Sequence, residues 1–392
     1  MSLNYDELLN PVARDMKPSG IRKFFDLAGS MQDVVTLSIG EPDFKTPWHI
    51  REAGIRTLNE GKTAYTPNAG LVSLRRAVSS YMSRRFGLTY DPDSEVIVTV
   101  GGSEGIDVTM RTLLRLGDEV LIPEPCFVCY APLAQMAGAV PVTLATYEKD
   151  AFRLMPETLK AAITPKTKLL VLSYPNNPTG AVMSKSDYEA IAEVLRGTDV
   201  FVITDEIYIE LSYTKQPLVS FAAIDGMRER TVVVNGFSKA YAMTGWRMGY
   251  LCGPKELIKP ALKLHQFGIM SAPTTSQFAA VEALEHGEED VNMMREKYNM
   301  RRKFLLRTFE ELEIPCFEPL GAFYVFPNIS RFGLSSEDFC RRFLEEEKVA
   351  MVPGSAFGES GEGFARISYA YSMDHLQIAM ERLKRFISRL EG

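Results

Sequence analysis

From residue 96 to residue 234, short runs rich in valine, isoleucine and leucine alternate with stretches of helical period. No other feature constrains the fold of this chain as tightly. Val96–Val100, Glu119–Ile122, Val140–Leu144, Lys168–Ser173, Val200–Thr204 and Thr231–Val234 read as strands. Ser103–Leu116, Phe127–Ala137 and Ser184–Leu195 read as helices between them. Gly101-Gly102 and Gly117 punctuate the first of these, Ser184 caps the third, and Ile191, Val194 and Leu195 give that helix an apolar face. Lys168–Ser173 is apolar enough to be buried on both faces, as parallel strands are. Such alternation predicts an α/β fold with a mostly parallel sheet and helices on both of its faces.

The last hundred residues follow a different pattern. One long helical stretch runs from Thr275 to Leu312, followed by a strand over 321–326, a helix over Ser336–Glu347, a strand over Ala365–Ser368 and a closing helix over Asp374–Leu390. These elements predict a second, smaller α/β domain. At 392 residues the chain is also too long for one ordinary core. The expected division is an N-terminal arm with part of the small domain over 1–45, a large domain over 46–285, and the small domain over 286–392.

Composition removes several function classes. There are 50 acidic against 44 basic residues, so no basic excess is available to bind a nucleic-acid backbone. No apolar run approaches the ~18 residues of a membrane span. Asp6, Glu7, Arg14, Asp15 and Lys17 interrupt the N-terminal segment, which does not read as a secretion signal, so a cytoplasmic address is expected. The five cysteines are scattered, and an odd count of this kind argues against a disulfide framework. Cys126 and Cys129 form a C-x-x-C without a second pair, so no metal site is expected; they read as two small thiols packed in a helical turn.

Ligands of open α/β sheets bind beyond the carboxyl ends of the strands, so the residues after each strand carry the functional information. Gly101-Gly102-Ser103-Glu104-Gly105 follows the first strand, and glycines opening a helix let free N–H groups approach an anion. Tyr174-Pro175-Asn176-Asn177-Pro178-Thr179-Gly180 forms a loop stiffened by proline, with Asn177 inside it. Asp205 ends a buried strand, where a carboxylate is costly unless paired. Ser238-Lys239 follows the last strand, and Arg247 comes shortly after. Each residue alone has an ordinary structural reading. Together they form the kit that pyridoxal phosphate needs: an amine for its aldehyde, an acid for its ring nitrogen, hydrogen bonds for its phenolic oxygen, an aromatic ring to stack on it, and an anion cradle for its phosphate.

With these segments in view, the chain resembles the class I/II aminotransferases, the fold-type I pyridoxal-phosphate enzymes related to aspartate and aromatic aminotransferases. The likeness runs from about Leu37 almost to the C-terminus. It is carried by SIGEPDF at 38–44, YTPNAGLVSLRRAV at 65–78, TVGGSEGID at 99–107, YPNNPTG at 174–180, TDEIY at 204–208, NGFSKAYAMTGWRMGY at 235–250 and ARISYA at 365–370. The resemblance implies a large domain with a seven-stranded sheet and amino-group transfer between an L-amino acid and a 2-oxo acid by a ping-pong route.

It also implies roles. Lys239 carries the cofactor and then shuttles the proton. Asp205 pairs with the ring nitrogen, Asn177 and Tyr208 contact the ring hydroxyl, and Phe127 lies on the ring where relatives usually carry Tyr or Trp. Gly102, Ser103 and Glu104, through their backbone, bind the phosphate with Ser238 and Arg247. Tyr65 reaches the neighbouring site of a homodimer. Arg366 forks onto the substrate carboxylate, with Gly40 and Asn177 beside it. Trp246 reads as packing.

Two positions depart from the pattern. Gly236 stands where some relatives have a phosphate-binding serine. Ser103 stands where some aspartate-specific relatives have a lysine for the distal carboxylate. The expected donor is therefore a broad, aromatic or neutral amino acid, with 2-oxoglutarate or pyruvate as acceptor. Arg22 is a candidate for an acidic substrate, against a plainer reading as a solvated arginine at a helix start. The alternative activity is a carbon–sulfur lyase or other β-eliminating enzyme with the same cofactor residues. A pyridoxal-phosphate-sensing regulator would need a DNA-binding domain ahead of residue 40, and an NAD-linked enzyme would need a glycine fingerprint that the sequence lacks.

Overall fold

A computed structural model of the protein describes residues 3–18, 20, 29 and 31–391. Arg22 lies outside the described residues. Among those described are twelve strands: β1 (Val35–Thr36), β2 (Val96–Thr99), β3 (Glu119–Glu124), β4 (Val140–Ala145), β5 (Thr167–Ser173), β6 (Phe201–Asp205), β7 (Thr231–Gly236), β8 (Gly249–Cys252), β9 (Tyr324–Val325), β10 (Val349–Ala350), β11 (Val352–Pro353) and β12 (Ala365–Ser368).

Seven of these form one sheet in the order β2-β8-β7-β6-β5-β3-β4. All neighbours are parallel except β8, which runs antiparallel to β2 and β7. The central strands are apolar because both faces are covered: every residue of β7 is buried, and Leu169–Leu172 in β5 are at most 1% exposed. The mostly parallel sheet expected from the alternation is therefore present. The helix read at Ser184–Leu195 begins at Lys185, with Ser184 and Asp187 forming a reciprocal cap.

The second body is built on two small sheets, β11-β12-β9 and β1-β10. Its core holds Leu37, Tyr298, Phe309, Phe339, Phe343, Ile367 and Phe386. β1 pairs with β10, so the N-terminal segment is a structural part of this body.

Some elements differ from the sequence reading. The stretch from Thr275 to Leu312 is two helices, Thr274–His286 and Glu288–Glu311, broken at Gly287. A Cβ at Gly287 would lie 2.6 Å from the Ala283 carbonyl, so the chain crosses itself too closely there for any other residue. The strand read over 321–326 shrinks to Tyr324–Val325. The helix read from Phe127 starts at Tyr130, which leaves Cys126 and Cys129 in the preceding turn as free thiols. β8 and the helices Trp48–Asn59, Val72–Phe86 and Lys255–Gly268 were not anticipated as elements. Among the described residues, no helix is long and apolar enough to cross a membrane.

Candidate active site

The carboxyl edge of the large sheet collects the reactive groups. β5 ends at Ser173 and feeds the loop containing Asn177; β6 ends at Asp205; β7 ends three residues before Lys239; β2 leads into the helix Gly101–Leu113. Because β8 runs the other way, its first residue, Gly249, lies at this same edge opposite Thr99 and Gly236, and it brings Arg247 with it. The result is a cavity of about 630 Å³ lined by Gly102, Ser103, Phe127, Asn177, Asp205, Tyr208, Ser238, Lys239 and Arg247 on the sheet side, and by Gly40, Tyr324 and Arg366 opposite.

The helix Gly101–Leu113 opens without a side-chain cap. Its first-turn N–H groups have no intrahelical partners and stand at the cavity wall. Gly101 adopts φ +77°, and a Cβ there would lie 2.7 Å from Arg247 Nη2, so glycine lets the guanidinium close on the helix start. Helix terminus, Arg247 and Ser238 together make an anion cradle. Glu104 contributes no side chain to it: its carboxylate accepts from the Val100 N–H at 2.6 Å and pairs with His265 Nδ1 at 2.6 Å.

Asp205 accepts the Tyr130 hydroxyl at 2.8 Å and the Ile207 N–H at 3.2 Å. Burial pushes its carboxyl above the usual range, while the Tyr130 hydroxyl, the Ile207 N–H and the Lys239 charge pull it back. A neighbouring cation would restore the carboxylate. The Lys239 amine donates to the Gly40 carbonyl at 2.6 Å. Burial brings its pKa down to about 8, aided by the charges of Arg366 and Arg247 and opposed by Glu41 and Asp205. An amine so placed is available in neutral form near neutral pH, as covalent chemistry on an aldehyde requires.

The opposite wall comes from the second body. β9 and β12 pair with Tyr324 opposite Ser368, so Arg366, two residues earlier, shares the face of Tyr324. The Leu37 N–H donates to the Ala350 carbonyl and the Ser368 N–H donates to the Leu37 carbonyl, both at 2.8 Å; this stitching delivers Gly40 to the site. Arg366 is only 2% exposed. Its Nη1 donates to Asn177 Oδ1 at 2.9 Å and its Nη2 to the Ser38 carbonyl, while the buried Nε has no partner. Among the described residues it has no ion-pair partner, so a buried guanidinium waits for an anion.

Most of the residues singled out from sequence therefore meet in one cavity. Tyr65 does not: it is 83% exposed and stands outside. Tyr130 and Tyr324 were missed. Tyr130 lies three residues beyond Phe127, at the helix start, and Tyr324 lies in the GAFYVF stretch, but neither local pattern announces a contact with Asp205 or Arg366. The donor set fits pyridoxal phosphate: an anion cradle, a low-pKa amine and a buried carboxylate surround one space of suitable size.

A model of the family described as aminotransferase class I and II matches residues 32–383. YugH of Bacillus subtilis, named an aminotransferase, is 50% identical over 381 residues, covering 97% of this chain and 98% of its own. The aspartate aminotransferase of Pyrococcus abyssi is 44% identical over 374 residues, covering 95% and 96%. The crystal structure of the aromatic aminotransferase from Pyrococcus horikoshii superposes with a TM-score of 0.90 at 42% identity, covering 95% of this chain and 99% of that one.

Proposed function

The chain belongs to the class I and II aminotransferases, and on that premise we propose which residues do its chemistry and on what substrates. It is a pyridoxal-phosphate enzyme that moves amino groups between amino acids and 2-oxo acids. When bound, the cofactor supplies an aldehyde for the substrate amine and a ring that takes up the electron pair released at Cα.

Lys239 would hold the cofactor, and its neutral amine stands where it could take up and give back the substrate Cα proton. Asp205 keeps the ring nitrogen protonated, since an opposite charge a few ångströms away favours the cation. Tyr208 and Asn177 would hydrogen-bond the ring hydroxyl, and Phe127 would pack on the ring. Gly102, Ser103 and Glu104, through their backbone, bind the phosphate together with Ser238 and Arg247. Arg366, with Asn177 and Gly40 beside it, would bind the substrate carboxylate as a fork and so orient the substrate. The observation that carries this reading is the meeting in one cavity of the Lys239 amine, Asp205 and Arg366, which has no ion pair among the described residues.

We propose a donor with an apolar or aromatic side chain and an acceptor such as 2-oxoglutarate or pyruvate. Among the described residues the cavity wall has no basic side chain beyond Lys239, Arg247 and Arg366, while Ile39, Ile106, Phe127 and Ile207 line it. A homodimer is proposed as well. Tyr65 sits on a loop tied to the end of a neighbouring helix by the Asn68 side chain, which donates to the Met270 carbonyl at 2.8 Å. There Phe267, Ile269 and Met270 are also exposed, a patch suited to a second copy. The proposed domains remain 1–45, 46–285 and 286–392. The break at Gly287 supports the second boundary: Val291 still packs in a core of the large sheet, whereas Met294 and Tyr298 pack in that of the second body. Five free thiols suit a reducing cytoplasm.

The test is the visible spectrum of the cofactor-loaded enzyme during addition of single amino acids. Bleaching by apolar or aromatic donors and recovery on adding an oxo acid is the expected result. Bleaching by aspartate alone would overturn the donor class. Release of pyruvate and ammonia without an acceptor would point to elimination instead.

A further inference from the structure

We propose that Tyr324 is a positioning residue that couples the two walls of the site, setting the donor strength of Tyr208 and the pose of Arg366. The inference rests on the assignment of Tyr208 to the ring oxygen and of Arg366 to the substrate carboxylate.

One buried side chain, 1% exposed, touches the partner of each function. The Tyr324 hydroxyl lies 2.8 Å from the Tyr208 hydroxyl. Its ring face carries the Arg366 guanidinium 4.5 Å from the centroid. Its hydroxyl also occupies the place where a side chain at residue 40 would begin: a Cβ on Gly40 would lie 2.4 Å from it. The carbonyl of that same Gly40 accepts the Lys239 amine.

Proton counting fixes the direction of the relay. A tyrosine has one hydroxyl hydrogen. If Tyr208 gives its hydrogen to the ring oxygen, the contact between the two hydroxyls is made by Tyr324 donating to Tyr208. A donor that itself accepts a hydrogen bond is polarised and donates more strongly. Loss of the Tyr324 hydroxyl therefore leaves more negative charge on the ring oxygen, which then retains a neighbouring proton to higher pH. The ring of Tyr324 acts separately. Among the described residues Arg366 has no carboxylate against it and its Nε is unpartnered, so its pose rests on the bonds to Asn177 and Ser38 and on the rings of Tyr324 and Phe357, 4.5 and 4.8 Å away.

These two parts of the residue can be tested apart. In cofactor-loaded Tyr324→Phe, the pH midpoint of the visible band should move up by about 0.3 to 1 unit. The Michaelis constant, measured with whichever of L-phenylalanine, L-alanine and L-aspartate bleaches the wild-type band at lowest concentration, should change by less than about twofold, because the ring remains. In Tyr324→Leu the Michaelis constant should rise about tenfold as well.

The third readout is thermal stability. Gly40→Ala should lower the melting temperature in the wild-type background and lower it much less in Tyr324→Phe. Without the hydroxyl, the nearest atom of that ring to the new Cβ is Cζ at 3.5 Å, an ordinary contact. An unmoved midpoint in a Tyr324→Phe enzyme that still shows its band would overturn the relay, and additive melting losses in the double variant would overturn the contact with Gly40. A wild-type enzyme with no visible band after reconstitution would sink the cofactor assignment beneath both, a result distinguishable from either.

Discussion

The two walls of the cavity are built by different means. The sheet wall hangs on the ends of buried parallel strands: Asp205 is the last residue of β6, and Lys239 stands three residues beyond β7, whose every residue is buried. The opposite wall hangs on strands of two to four residues and on the segment from Leu37 to Gly40, which is fastened by single backbone bonds. The sheet wall can hold reacting groups in fixed geometry, which proton transfer demands. In the proposed assignment the other wall meets the substrate, and its short elements let it carry specificity. The contrast suggests that chemistry belongs to the first and capture to the second.

Substitutions on each wall test this contrast. The largest effect is expected on the sheet wall: Lys239→Ala should cut turnover by about 10⁴-fold or more while pyridoxal phosphate still binds without a covalent bond. Steady-state kinetics with equilibrium dialysis of the cofactor measures both, and substantial residual turnover would remove Lys239 from its role. On the opposite wall, Arg366→Lys should lower kcat/KM by about 10²-fold, chiefly through KM, because an ammonium cannot make the bidentate fork. A loss confined to kcat would erase the proposed division of labour.

A third effect concerns stability. The Lys239 amine has its pKa lowered to about 8 from 10.5. Between these values the unfolded chain binds more protons than the folded one, so stability rises with pH through that window. Cofactor-free protein should gain on the order of 3 kcal/mol relative to Lys239→Met across it. Parallel unfolding curves for the two proteins would contradict the buried amine.

The smallest effect lies away from both walls. His49 bridges Glu282 at 2.7 Å and Asp290 at 2.9 Å, one carboxylate on each helix flanking Gly287. Burial alone would lower its pKa, but the hydrogen bonds that the ring donates to the Asp290 and Glu282 carboxylates outweigh it and raise the value. Its contribution is full below the ordinary histidine pKa and fades as pH rises through the folded value. The site is partly open to solvent, which screens it, so His49→Gln should cost under about 1 kcal/mol at pH 6 and less at pH 9.

What could be read in the sequence follows the same division. Asp205, Lys239, Asn177 and the glycine turn each sit at a fixed offset from an apolar run, so local pattern alone places them on one edge. β8 escaped because four residues, Gly249–Cys252, leave no periodicity to detect. Gly287 was passed over because one glycine inside a helical pattern costs only about 1 kcal/mol, which does not by itself mark a break. Tyr324 was illegible for a deeper reason. Its meaning lies in contacts with Tyr208, 116 residues away, and with Arg366 across a two-residue strand, and no local period encodes such pairings.

The central claim is that Lys239 carries the cofactor. The direct measurement is borohydride reduction of the loaded enzyme followed by peptide mapping. The account predicts a pyridoxyl group on the peptide containing Ser238-Lys239-Ala240 and on no other. A stable adduct at a different lysine, or none on an enzyme that still transaminates, would contradict it.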